Sequence, residues 1–168
     1  MKKFVSVMLS AVLAASMLAG CGTQDTNSAD NGGNAASGDT IKIGGIGPLT
    51  GGAASYGISV KQGAQVAVDE INAAGGILGK QIEFMFEDDE NKEQNSVNAY
   101  NTLMDKGMQV LIGSVTSNPC IAVADESVKD GILQITPSGS AKDCTKNDNG
   151  FRICFTDPQQ GEKMAEYI

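Results

Sequence analysis

Histidine and tryptophan are absent from the 168-residue sequence, and aromatic residues make up only 5% of it. Without an imidazole there is no Ser-His or Cys-His nucleophile pair, no imidazole base and no His-ligated metal site. Positive charge is also scarce: 12 Lys and Arg stand against 20 Asp and Glu, a formal charge of −8. Such a chain repels a phosphate backbone instead of releasing its counterions, which disfavours nucleic-acid binding. What remains is 41% hydrophobic and carries 21 Gly. The length suits one domain, or two small ones at most.

Residues 1–20 are expected to lie outside the fold. Lys2 and Lys3 precede an apolar, alanine-rich run over 4–20, too short and small-residued for a comfortable membrane span and patterned like a bacterial export signal. It closes on Leu18-Ala19-Gly20-Cys21, which resembles the lipobox of bacterial lipoproteins, with Cys21 as the lipidated mature N-terminus. Lys2 and Lys3 are the only charges lost with the signal, so the remainder carries 10 basic and 20 acidic residues. Residues 21–40 reduce to Gly, Ala, Ser, Thr, Asn, Gln and Asp after the cysteine. They cannot bury enough surface to offset chain entropy, so this segment is expected to be a disordered tether. Its r.m.s. span would be roughly 20–25 Å.

From Ile41 onward, short β-rich runs alternate with longer amphipathic ones. Strands are expected over 41–47, 81–87, 110–113, 132–136 and 151–155. Helices are expected over 56–74, 94–106 and 119–130. Val60, Ala64, Ala67, Val68 and Ile71 share one face of the first helix, and Val97, Tyr100, Leu103 and Met104 one face of the second. The glycines at 75, 76 and 79, and Gly107, stop these helices. Strand-helix alternation at this spacing makes βαβ units, so the fold class is α/β: an open parallel sheet with helices on both faces.

In such sheets ligands collect beyond the carboxyl ends of the strands. The loops that matter therefore span 48–55, 88–93, 114–118 and 137–146. The first, third and fourth are rich in Gly, Ser and Thr, able to aim N–H groups and hydroxyls at an anion without carrying charge. Ser117-Asn118-Pro119 reads as a helix start with a capping side chain followed by proline at the first helical position. A small carboxylate fits there.

Other motifs fail. Gly45-Ile46-Gly47-Pro48 lacks the third glycine of a dinucleotide fingerprint, and Gly79-Lys80 runs from helix to strand, opposite to a phosphate-binding loop. The acidic run Glu87-Asp88-Asp89-Glu90 lacks the ligand spacing of a calcium loop and reads as a solvated loop leading into a helix. Beyond Cys21 there are Cys120, Cys144 and Cys154 without a CxxC pair. Outside the cytoplasm two of the three can join, and the spacing does not say which.

The segments Ile43–Gly51 (IGGIGPLTG), 70–77 (EINAAGGI), 131–138 (GILQITPS), and Phe151-Arg152 with Asp157, Gln160 and Gly161 together resemble the branched-chain amino-acid binding proteins of ABC importers, a family of type I periplasmic-binding proteins. The resemblance runs from about Ile41 to the end. It implies two α/β lobes that close on a ligand, of which residues 41–156 correspond to the first and 157–168 to the start of the second. The chain is thus expected to be truncated relative to that pattern. The resemblance further implies ligand contacts at Ser117, Ser138, Gly139 and Ser140: hydroxyl and N–H groups for a carboxylate, and the Ser138 carbonyl for an ammonium. Tyr56 matches an aromatic at the mouth of the cleft.

The expected function is an exported, lipid-anchored solute receptor. It takes a small amino acid, of branched-chain type, and hands it to ABC permease subunits, with the membrane met only through the anchor. No catalysis, cofactor or metal is implied. Two alternatives use the same fold: a ligand-sensing module in signalling, and a non-functional truncated fragment. A secreted α/β enzyme with Ser117 or Cys120 as nucleophile would lack any histidine or metal to activate it.

Overall fold

The structure is a computed structural model, and it describes residues 40–168. The expected export signal, Cys21 and the expected tether as far as residue 39 lie outside the described residues. Five strands, β1 (Ile41–Gly47), β2 (Ile82–Asp88), β3 (Val110–Ile112), β4 (Leu133–Thr136) and β5 (Gly150–Arg152), pair in parallel in the order β2-β1-β3-β4-β5. The helices are α1 (Ala54–Ala73), α2 (Glu93–Asp105), α3 (Ser117–Lys129) and α4 (Asp157–Tyr167), with a 3-10 turn at Lys142–Thr145. The expected α/β class is borne out.

Several boundaries differ from the sequence expectation, each for a local reason. The fifth strand stops at Arg152 instead of running to 155, because β4 ends at Thr136 before Pro137 and offers no partner beyond the Ile153 N–H to Thr136 carbonyl bond of 3.2 Å. Helix α3 begins two residues before Pro119. Thr116 holds the extended N-cap position (φ −104°, ψ 158°), and Pro119 sits inside the first turn, where its missing N–H costs no helical bond. Gly75 and Gly76 do end α1: both take positive φ, and the Gly76 N–H closes on the Ile71 carbonyl at 2.9 Å.

The main core lies between the sheet and α2 and α3. Ile46, Tyr100, Leu103, Leu111 and Val123 are fully buried there, each side chain contributing about 1.5–3 kcal/mol by transfer from water. Tyr100 also reaches past the core, and its hydroxyl donates to Asp130 Oδ2 at 2.9 Å. Val97 and Met104 are only half-buried on the same helix.

Helix α1 covers the opposite face over β1 and β2. Of its expected apolar face only Val68 is buried, with Gly57; Ala67 and Ile71 stay exposed. The sheet beneath offers little to grip, since Gly45 and Gly47 are bare and Phe84 and Phe86 fill the space beside them. Further along that face Phe151, in register with Ile135, is 54% exposed and Ile153 is 76% exposed. Among the described residues no helix is long and apolar enough to cross a membrane.

Candidate ligand-binding site

The strand order reverses direction at β1: one neighbour, β2, follows it in sequence on one side, and β3 and β4 extend the sheet on the other. Crevices form at such switch points, where successive loops leave in opposite directions. A cavity of about 630 Å³ opens there. Its lining comes from four strand exits: Ala53 and Tyr56 after β1, Asn91 to Glu93 after β2, Val115 to Asn118 after β3, and Ser138 after β4.

Three of the five residues expected at a binding site, Tyr56, Ser117 and Ser138, line this cavity. Tyr56 is 62% exposed at its mouth. Ser117 does not cap α3. Its Oγ instead accepts the Ala141 N–H at 3.2 Å, which ties the β3 exit to the β4 exit. Ser138 donates through its hydroxyl to the Val115 carbonyl at 2.6 Å, a second tie between the same loops. Gly139 is buried and its N–H donates to Thr136 Oγ1 at 2.9 Å, so it lies behind the lining and not in it. Ser140 is half-buried and likewise outside the lining; its carbonyl accepts from Arg152 Nη1 at 3.0 Å and from the Asp157 N–H at 3.1 Å.

The acidic run is not the solvated loop its composition suggests. Asp89 is fully buried, accepting from the Ser114 hydroxyl and from the Asn91 N–H at 2.9 Å. Burial pushes its carboxyl above the usual carboxylate range despite these bonds. Asp88 behaves oppositely. Partial burial works to raise it, but the Thr50 hydroxyl at 2.7 Å and the Leu49 and Glu90 N–H groups, both at 2.8 Å, together hold it below its ordinary value. One acid therefore anchors the β3 exit and the other the β1 exit.

Sequence reasoning included the loop 88–93 among the strand exits but singled out none of Asn91, Lys92 and Glu93 as lining residues. Asn91 takes a positive φ of 59°, and that turn swings the chain back over the cavity. An acid-Asn pair at a strand exit was the available signal, since Asn tolerates that backbone region. Thr116 lines the cavity with a buried Oγ1 that has no hydrogen-bond partner among the described residues. The first turn of α3 brings a positive dipole end to the same wall. Together these groups suit a small anion or zwitterion. Among the described residues no cluster of three or more His, Cys, Asp or Glu side chains is placed to hold a metal ion.

Comparison with known proteins agrees with this geometry. The model of the periplasmic binding protein family matches residues 40–168. The chain is 44% identical over 130 residues to the Leu/Ile/Val-binding protein BraC3 of Rhizobium johnstonii, covering 76% of this chain and 35% of that one. It is 34% identical over 134 residues to the leucine-, isoleucine-, valine-, threonine- and alanine-binding protein of Pseudomonas aeruginosa, covering 77% and 35%. Among solved structures it resembles the branched-chain amino-acid transporter substrate-binding protein LivJ of Streptococcus pneumoniae, in complex with isoleucine, at 37% identity and a TM-score of 0.68 over 71% of this chain and 35% of that one. The chain thus spans about a third of the length of the relatives it matches. A parallel sheet with one switch point, a cavity at that point and a family match over every described residue lead to one conclusion: the chain belongs to the periplasmic binding protein family.

Proposed function

We propose that this chain supplies the first lobe of an extracytoplasmic, lipid-anchored receptor that delivers branched-chain amino acids to an ABC importer. The observation that carries the reading is the meeting of Tyr56, Ser117 and Ser138 in one cavity with the first turn of α3. That wall offers hydroxyls, main-chain amides and a dipole end to a carboxylate, and nothing that would transform it. Gly139 and Ser140 take part from behind the wall, through the backbone that sets the position of Ser138. Cys21 carries the lipid, and permease subunits receive the solute.

A single lobe offers few contacts. Hydrogen bonds to charged ligand groups contribute about 1.5–3 kcal/mol each, against about 4–15 kcal/mol of lost translational and rotational freedom. The lobe alone is therefore expected to bind weakly, and a frame extended into a second lobe tightly. Calorimetry with leucine, isoleucine and valine on both forms tests this. Tight binding by the 168-residue form, or binding by the extended form that ignores Ser117→Ala, would defeat the reading.

A further inference from the structure

We propose that Cys120 and Cys144 join in a disulfide that ties the first turn of α3 to the 3-10 turn Lys142–Thr145, leaving Cys154 outside the bridge. The two residues are 24 apart in sequence, yet both are buried and adjacent. The Cys120 thiol donates to the Cys144 carbonyl oxygen at 3.8 Å, and the Cys144 thiol donates to the Ser117 carbonyl oxygen at 3.6 Å. Ser117 and Cys120 are three residues apart on α3, so both approaches of Cys144 fall on the same helical turn. Cys154 follows β5 and is half-buried; among the described residues no hydrogen bond joins it to either sulfur. The spacing of the three cysteines left the pairing open; all three are free thiols in the structure, and the fold brings Cys120 and Cys144 side by side.

The surroundings divide the labour of the exchange. The neighbouring Cys120 side chain, and then the Arg152 guanidinium, hold the Cys144 thiol below its ordinary range, so the Cys144 thiolate is favoured. Cys120 is pushed up by the neighbouring Cys144 side chain and by burial. Its sulfur also accepts from Gln134 Nε2 at 3.3 Å. Cys144 is thus the attacking sulfur. Its thiolate attacks one sulfur of an exported protein disulfide, the oxidant, and expels the other as a thiolate. Cys120 then gives up its proton and attacks the Cys144 sulfur, breaking the mixed disulfide. The oxidant leaves as a dithiol carrying the two electrons and, after protonation, the two protons. Because both sulfurs are buried in the finished fold, the exchange belongs to folding, in the extracytoplasmic compartment that the family implies.

The bridge would sit directly under the cleft. A Cβ placed on Gly139 would lie 2.9 Å from Cys144 Sγ, and Ser117, which meets the Cys144 thiol through its carbonyl, accepts the Ala141 N–H through its hydroxyl. The covalent link therefore fixes the β3 exit against the β4 exit. Its effect on ligand affinity rests on the function proposed above; the bridge itself does not.

The test is a peptide map of the full chain, exported from a bacterial host, trapped with N-ethylmaleimide and digested without reductant. The expected result is a linked Cys120–Cys144 peptide pair with Cys154 alkylated. Dithiothreitol is expected to lower the melting temperature of the wild-type chain by roughly 5–15 °C. Cys120→Ala and Cys144→Ala should abolish that sensitivity, and Cys154→Ala should retain it. Alkylation of both Cys120 and Cys144, a link from either to Cys154 or Cys21, or a wild-type melt indifferent to dithiothreitol would overturn the proposal. The map reads the bridge without any ligand, so a failure of leucine binding would leave the bridge standing.

Discussion

The guanidinium of Arg152 donates from Nη1 to the carbonyl oxygen of Ser140 at 3.0 Å. The same nitrogen reaches the Gly139 and Ala141 carbonyls, also at 3.0 Å, and Nη2 reaches the Lys142 carbonyl at 3.1 Å and Thr145 Oγ1 at 2.8 Å. One side chain thus gathers five consecutive or near-consecutive acceptors and sets the path of the loop from which Ser138 enters the cavity. The guanidinium serves because its donors form a rigid planar fork.

Arg152→Met should therefore cost about 2–4 kcal/mol of unfolding free energy, since several charge-assisted bonds are lost while some of the carbonyls regain water. Arg152→Lys should recover less than half of the loss, because an ammonium cannot span the loop. Urea denaturation of the three chains measures both. Full recovery by lysine would show that charge alone matters.

Asp89 sets a pH dependence with a definite sign. Its folded carboxyl titrates above its ordinary value of 3.8 because burial disfavours the charge. Its stabilising contribution is then present below about pH 4 and lost as the pH rises through the folded value. Asp89→Asn removes that loss. Relative to wild type, the variant should gain stability between pH 4 and pH 7, and urea midpoints at several pH values will show whether the difference slopes this way.

Asp88 has the opposite sign. Its carboxyl is held below 3.8 by the Thr50 hydroxyl and the neighbouring N–H groups, so its contribution is present above that value and lost as the pH falls through the folded one. Asp88→Asn should destabilise the chain at pH 7 and be neutral near pH 2. Amide exchange of Leu49 and Glu90, whose N–H groups it holds, should accelerate at pH 7 in the variant.

Gly57 seats the first turn of α1 against the β1 exit at Pro48. A Cβ there would lie 2.0 Å from the Pro48 carbonyl oxygen, a backbone atom that cannot step aside. Alanine gains about 0.5–1 kcal/mol in helix propensity, but overpacking of this kind costs typically 1–3 kcal/mol. Gly57→Ala should therefore destabilise the chain on balance and displace Tyr56 from the cavity mouth. A thermal melt checks the first effect and the fluorescence of Tyr56, against Tyr56→Phe, the second.

Periodicity and punctuation made the architecture legible. Short β-rich runs such as 41–47, three- and four-residue repeats through α1 and α2, and glycines at the helix ends are all local properties of the chain, and local properties specify strands, helices and their sequence. The rule that ligands gather at strand exits picked out the loops that hold Ser117 and Ser138, and the family resemblance singled out those two residues and added Tyr56, without any contact being known. What stayed illegible depends on partners distant in sequence. Asp89 looked solvated because nothing near it in the chain shows that Ser114, 25 residues on, would close over it. Arg152 read as part of a motif, with no hint that its acceptors were the four carbonyls before it in the cleft loop.

The sequence by itself determined the α/β class, the order of the elements and the polar, uncharged character of the binding loops, because each follows from side-chain periodicity and backbone preference over a few residues. The tertiary structure alone decided which acid is buried, which thiols meet and how little of α1 is covered. Those outcomes depend on strand order and on how closely backbones approach, and both are fixed by the packing of segments that share no local pattern.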